Sequence, residues 1–465
     1  MTVDARTRDR CPRITEAGLS MLRALREHPD APRYNHVTGD RLHEEDLPAL
    51  EAFRAAIADA RGARAPGPPP PAVLRRVAEW RVRVPIFQRL LAGIADLARD
   101  WERVPTTSRA DLALAPWDFV PEDAALDRMV IYRTAGTTGH PITVPHHPLA
   151  IRCYEPLVEE ALARHGVAAD FRAGEVACFL VGAQIRTYTY AAVLTAWQEA
   201  GFAKLNLRQT EWPREGSQAR YFADLAPRLL TGDPISFGEL LRQGLPARPR
   251  ALVSTSVAMS PALKRRLAER YRAPVIDWYS LVETGPVGYA CAAGDGYHVL
   301  PPDLHVEALR PDGAACAPGE RGEITLTGGR NPFAPMVRYR TGDYGRIDHA
   351  PCACGDAMPR LLELEGRVPV LFRAADGTPV STVDLSRLLR EHPLLVHEFV
   401  QRADRSCELT CRPLPGALVD PARIAADLRR ALGAVELAVE IDPALGERVE
   451  GKVLPYQSEL QLLED

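Results

Sequence analysis

Four groups of residues in this chain have types and spacings suited to chemistry. In Tyr132-Arg-Thr-Ala-Gly-Thr-Thr-Gly-His-Pro141, Gly136 and Gly139 permit a turn with no Cβ. Backbone N–H groups can then point at a phosphate, and Thr134, Thr137 and Thr138 add hydroxyl donors. A plain Gly/Thr hairpin is the competing reading. Asp277-Trp-Tyr-Ser-Leu-Val-Glu283 places an aromatic, Tyr279, where it can stack on a flat base. Its carboxylate, Glu283, can hold Mg²⁺ against phosphate, or simply be solvated. In Tyr339-Arg-Thr-Gly-Asp343 the Asp at a Gly-flanked turn can accept two ribose hydroxyls, or merely close a hairpin. Cys291-x₆-His298 and Cys352-x-Cys354 offer three thiolates and an imidazole. Zn²⁺ takes four such ligands, and with none left open the site would be structural. The spacings are not those of a common zinc finger, so free thiols in loops remain the alternative.

The elements that must position these residues follow from pattern. A chain of 465 residues is too long for one ordinary domain. A net charge of −4 gives no nucleic-acid or membrane-surface character. No window approaches the ~18 apolar residues of a membrane span. The first ten residues are charged rather than apolar, unlike a secretory signal. The nine cysteines do not form a disulfide-type framework, so a cytoplasmic location is expected. Only three lysines occur, Lys204, Lys264 and Lys452, among 57 basic residues, so a lysine here is unusually worth following.

Residues 1–125 read as mainly helical (22–26, 47–57, 73–97, broken by the prolines of 67–71) and show no catalytic constellation. A short buried strand is expected at 128–133, then a helical run over 149–165. Strands follow at 176–181 and 203–207, with a helix over 190–201 between them. Further strands are expected at 235–237, 251–253 and 274–279. Strands alternating with helices predict an α/β sheet, with ligands beyond the carboxyl ends of its strands. Short β segments fill 304–346. The last hundred residues read as a small α+β unit, with strands at 368–372, 397–401, 407–411 and 435–441 and helices at 383–391 and 421–432. The expected division is a large N-terminal domain, 1–365, with its nucleotide and substrate core in 126–350, and a small mobile domain, 366–465.

The phosphate loop is not that of nucleotide kinases, which needs Lys and then Ser/Thr where His140 and Pro141 stand. It resembles the loop of the acyl-adenylate-forming enzymes (acyl-CoA ligases, luciferases, peptide-synthetase adenylation domains), with His140 replacing their Lys. Residues 279–283 resemble the next motif of that superfamily, Tyr-Gly-x-Thr-Glu, with Ser280 for Gly and Val282 for Thr. Residues 339–343 match another without change, and Gly366-Arg367 and Gly451-Lys452 match the last two. The closest resemblance is to the short phenylacetate-CoA ligase-like branch, some members of which carry a similar Cys/His metal site.

This resemblance implies ATP and Mg²⁺ as cofactors, with a possible structural Zn²⁺ on Cys291, His298, Cys352 and Cys354. It places Thr134, Gly136, Thr137, Gly139, Tyr279, Ser280, Asp343 and Arg367 around the nucleotide and Glu283 on the magnesium, and it makes Thr138, Glu283 and Lys452 the catalytic residues. Lys452 would stabilise charge at the carboxylate and α-phosphate. The implied reaction joins a small acid to AMP, releases pyrophosphate, and passes the acyl group to CoA, a carrier-protein thiol or an amine. Val368-Pro369-Val370 replaces the superfamily's hinge residues. A proline fixes φ, so restricted rotation of the small domain is expected. Arg133, His146, His147, Gln184 and Arg186 would make a polar acid pocket if they converge, and otherwise face solvent. Two rivals stand beside this: adenylation of nitrite to diazotise an amine in a natural-product pathway, and a non-catalytic nucleotide-binding scaffold. The scaffold reading rests on the changed residues His140, Ser280, Val282 and Pro369.

Overall fold

The computed structural model describes residues 5–60, 62, 66–133, 142–294, 296–300, 302–366, 370–447 and 453–460. The phosphate loop from Thr134 to Pro141, the hinge residues Arg367 to Pro369, and Lys452 lie outside these. The N-terminal portion is helical as expected: α1 (Ala5–Arg10), α2 (Glu16–Arg26), α3 (Leu47–Asp59), α4 (Pro71–Arg83) and α5 (Pro85–Leu90). The helical pattern of 73–97 breaks at Val84, because the residue before a proline is pushed out of the helical region.

A two-residue strand, β1 (Thr107–Ser108), leads into α6 (Arg109–Leu114), whose first turn is closed by a Ser108/Asp111 capping box. The hairpin β2 (Val130–Arg133) and β3 (Thr143–His146) flanks the phosphate loop. Of its two strands only β3 is buried. The expectation of a buried strand at 128–133 fails because β2 pairs with β3 alone, outside the main sheet. The helical run of 149–165 is two helices, α7 (Pro148–Arg152) and α8 (Tyr154–Arg164), jointed at Cys153.

The core sheet begins with β4 (Val176–Gly182), β5 (Tyr190–Leu194), β6 (Ala200–Asn206), α9 (Ser217–Leu225), β7 (Leu229–Gly232), α10 (Pro234–Gln243), β8 (Ala251–Ser254), α11 (Pro261–Tyr271) and β9 (Val275–Leu281). It continues through β10 (Gly285–Ala290), β11 (Tyr297–Val299), β12 (Leu304–Leu309), β13 (Gly322–Gly328), β14 (Met336–Asp348) and β15 (Arg360–Glu365). Thirteen strands form one sheet in the order β12-β13-β14-β15-β11-β10-β9-β8-β7-β4-β6-β5, with β1 beside β14. Strands β9, β8, β7, β4 and β6 are parallel, so their carboxyl ends share one edge.

Two expectations are corrected here. Residues 190–201 are not a helix: β5 pairs antiparallel with β6 through a tight turn in which Gln198 and Glu199 take positive φ. Ala191 to Leu194 are buried on both faces of the strand, and a continuous apolar run does not distinguish strand from helix. Residues 235–237 are the first turn of α10, not a strand. Asp233 caps it by accepting from Ser236 N at 2.8 Å, and Pro234 occupies the first position. The strand is the preceding β7.

The C-terminal unit comprises β16 (Leu371–Arg373), β17 (Pro379–Ser381), α12 (Thr382–Leu389), β18 (Leu394–Gln401), β19 (Cys407–Pro413), α13 (Pro421–Leu432), β20 (Leu437–Ile441) and β21 (Tyr456–Ser458). Its own core gathers Phe372, Leu385, Phe399, Leu409, Ile424 and Leu428. It rests on α10 and α11: Ser260 Oγ donates to Leu394 O at 3.0 Å, and Leu395 packs into the large core. Gly238 lies under that contact, where an added Cβ would come within 2.8 Å of both Leu395 methyls. Gly238→Val should therefore loosen the small domain while leaving the large core folded. Small-angle scattering should show an increased radius of gyration at an unchanged main melting transition. An unaltered radius would remove Leu395 from the role of docking contact.

Candidate functional site

The turn after β9 and the strand β14 bring two buried carboxylates together, each held by a tyrosine. Tyr279 on β9 donates its hydroxyl to Asp343 Oδ2 at 2.7 Å. Burial next to Asp343 pushes this phenol well above its ordinary value, so it donates at neutral pH. Asp343 N donates to Thr341 Oγ1 at 3.0 Å; instead of the expected turn, 339–343 run within β14, and Gly342 takes φ +80° where the register against β13 shifts, a bulge conformation that glycine allows. Gly366 lies against Asp343: a Cβ added there would stand 3.6 Å from Oδ1. Ser280 is half-buried in register with Pro286 on β10.

Glu283 is 5% exposed and accepts from Tyr339 OH at 3.1 Å and Arg109 Nη1 at 2.6 Å. Arg109 is absent from the sequence-derived site. It arrives because β1 pairs in parallel with β14, Thr107 opposite Tyr339, which sets the first residue of α6 beside the Glu283 carboxylate. The capping signature Ser108-x-x-Asp111 marks a helix start there, but nothing local marks its long-range partner.

The pocket candidates divide. His146 is buried, its ring edge-on to Tyr132 at 5.1 Å. Burial lowers its pKa to about 4, a backbone contact at Val282 offsetting only part of the effect. Its Nε2 is buried without a hydrogen-bond partner. His147 instead caps α7, its Nδ1 accepting from Leu149 N at 3.1 Å. Gln184 is exposed and donates to Asp233 Oδ2 at 3.1 Å; Arg133 and Arg186 are exposed. An open cleft lined by Arg10, Arg26, Tyr34 and His36 among others contains none of the site residues named above.

Cys291, His298, Cys352 and Cys354 do converge, with ligand atoms all within 4.8 Å of one another. Cys291 Sγ is 3.4 Å from Cys352 Sγ, and Cys354 Sγ is 3.2 Å from His298 Nε2. His298 Nδ1 lies 2.9 Å from Met358 O, a hydrogen bond that fixes the tautomer leaving Nε2 free to ligate. Despite burial, the Cys354 backbone and the neighbouring thiol and imidazole hold Cys352 below its usual range. Burial pushes Cys354 up.

The fold is shared with solved acyl-CoA ligases, and the motifs described above resemble those of the acyl-adenylate-forming superfamily. In sequence the chain is similar to phenylacetate-CoA ligases. No protein-family model matches the chain. It is 26% identical to a phenylacetate-coenzyme A ligase of Thermus thermophilus over 319 residues, 63% of this chain and 68% of that one. It is 23% identical to the same enzyme of Aromatoleum evansii over 333 residues, covering 68% and 70%. Among solved structures, a 2-hydroxyisobutyryl-CoA ligase in the postadenylation state shares the fold with TM-score 0.59 at 18% identity, covering 89% of each chain. Among the described residues no helix is long and apolar enough to cross a membrane.

The Arg109–Glu283 pair supplies a test of this geometry. Arg109→Met strands a buried carboxylate and should destabilise the protein by about 3 kcal/mol. Adding Glu283→Gln should recover most of that loss, since an amide needs no cation beside it. Denaturant melts of the two single variants and the double variant give the coupling, and additive losses would show that the pair does not interact.

Proposed function

We propose that this chain binds ATP and Mg²⁺ and activates a small polar acid as its acyl-adenylate, releasing pyrophosphate. The acyl group then passes to a thiol, that of CoA in the first instance. The observation that carries this reading is the meeting of Tyr279 and Glu283, from the end of β9 and the turn after it, with Asp343 of β14, in the order the superfamily's motifs require.

Asp343 and Arg367 would hold the ribose side of the nucleotide and Tyr279 its base. To receive a ribose, Asp343 exchanges the Tyr279 hydroxyl for ligand hydroxyls, a change of partner rather than of charge. Thr134, Gly136, Thr137, Thr138 and Gly139 would cradle the phosphates, with His140 giving a weaker charge contact than a lysine. Glu283 fits magnesium: a single buried carboxylate supplemented by phosphate oxygens is the ordinary ligand set of that ion, which screens phosphate charge when bound. Lys452 would neutralise charge as the carboxylate attacks the α-phosphate. His146, neutral above about pH 5, offers the acid a hydrogen-bonding group rather than a charge.

The Cys291, His298, Cys352 and Cys354 cluster fits zinc in donor type, number and proximity, and the hydrogen bond on His298 Nδ1 completes the arrangement. With four protein ligands it would tie β10 and β11 to the turn before β15 and take no part in the reaction. Purified protein should carry equimolar zinc by elemental analysis. Chelation or Cys291→Ser should lower the melting temperature, and protein without metal that melts unchanged would leave the cluster as plain thiols.

Pyrophosphate release on adding ATP and a panel of carboxylic acids tests the activity. Lys452→Ala should reduce release by about 10²-fold or more while leaving ATP binding in place. Silence across the panel with wild type, or full turnover in the variant, would end the proposal. The same assay with nitrite and an aryl amine reads the alternative chemistry.

A further inference from the structure

Arg109 reaches the candidate site from outside every sequence motif, and its placement allows it more than one partner. Its bond to Glu283 and that of Tyr339 both end on Oε1, so Oε2 stands outside these two bonds. The guanidinium thus steadies one oxygen of the carboxylate and leaves the other to a metal carried in with phosphate. It also lies on the outer side of the pair, its side chain 18% exposed against 7% for Glu283, so a ligand can reach it.

The helix that bears it indicates which ligand. Leu112, one turn further along α6 and on the same face, is fully buried. It shares a core with Ile142 and Val144, and with Val337 and Tyr339 of β14. Ile142 follows directly on the phosphate loop, and Val144 lies on β3, the strand that leaves it. Arg109 is therefore mounted between the strand that carries Tyr339 and the strand from which the loop departs.

The charge of the loop leaves room for such a group. Residues 134–141 include neither Lys nor Arg, and His140 is their one basic side chain. Arg133, just ahead of them, is exposed on β2 rather than buried beside Glu283. Backbone N–H groups and hydroxyls can bond phosphate oxygens without neutralising them. In the proposed reaction Lys452 is taken up by the carboxylate and the α-phosphate, so the outer phosphates need a cation of their own. Arginine suits that need, because its planar fork of five donors can hold a carboxylate on one side and phosphate oxygens on another.

Resting on the activity proposed above, we infer that Arg109 is a phosphate-binding residue: one nitrogen keeps Glu283 while other donors of the fork engage the outer phosphates of ATP.

A guanidinium with a structural role alone has only Glu283 to offset, so removing that carboxylate separates the two roles. Equilibrium binding of ATP and of AMP is measured in EDTA, where neither magnesium nor turnover enters the result. The proteins are wild type, Glu283→Gln, and a double variant carrying Glu283→Gln and Arg109→Met. From Glu283→Gln to the double variant, ATP should weaken by about tenfold or more, the scale of one charge-assisted hydrogen bond, and AMP by no more than about twofold. Equal affinities in the two variants, or equal losses for ATP and AMP, would overturn the inference while leaving adenylation intact. Should the double variant not fold, Arg109→Gln takes the place of Arg109→Met, keeping an amide-to-amide hydrogen bond at the buried position. Wild type that binds neither nucleotide, with or without magnesium, would end the activity reading itself and this inference with it.

Discussion

Burying a carboxylate requires a partner for its charge, and the large sheet of this molecule is arranged around that requirement where β9 meets β14. Glu283 and Asp343 lie inside the protein on separate elements, and each is held by a tyrosine from the other's motif. Tyr279 comes from the Glu283 stretch and bonds Asp343; Tyr339 comes from the Asp343 stretch and bonds Glu283. The two motifs are thus locked to each other by reciprocal hydrogen bonds to charged groups, which are stronger than neutral ones. Neither motif could shift along its strand without exposing the other's acid to an apolar surrounding.

The Cys/His cluster is built in the same way further along the sheet. Cys291 follows β10, His298 lies on β11, and Cys352 and Cys354 come from the turn between β14 and β15. Strand β15 also pairs with both β14 and β11, so the cluster braces the same strands that carry Asp343. Around it, Asp356 accepts from Tyr289 OH and lies 3.7 Å from Arg164, which extends the brace to α8. The Cys/His cluster and the Tyr279–Asp343 and Tyr339–Glu283 contacts are in this way carried by strands of one sheet.

Much of this was legible beforehand because the motifs are short and local. The turn residues of 339–343, the aromatic and acid of 279–283, and the four metal-type ligands announce themselves by type and spacing. The α/β sheet and the smaller C-terminal sheet followed from alternating periodicities, as did the helix Pro421–Leu432 to the residue. What escaped was whatever depends on distant partners. Residues 190–194 became a strand because β6 was available to pair with them, and 235–237 became a helix because Asp233 and Pro234 start one. Arg109 belongs to a region that shows no chemistry locally, and its importance appears only when β1 is placed beside β14.

The two-residue strand β1 has one more consequence. Its sequence offering no motif, the helical first quarter of the chain is the segment a truncation would ordinarily remove to obtain a minimal enzyme. Yet β1 pairs with β14, the strand that carries Asp343, and the guanidinium that answers Glu283 comes from the very next residue. A shortened chain that begins at the phosphate loop would keep every recognisable motif and still lack the cation on which one of them depends.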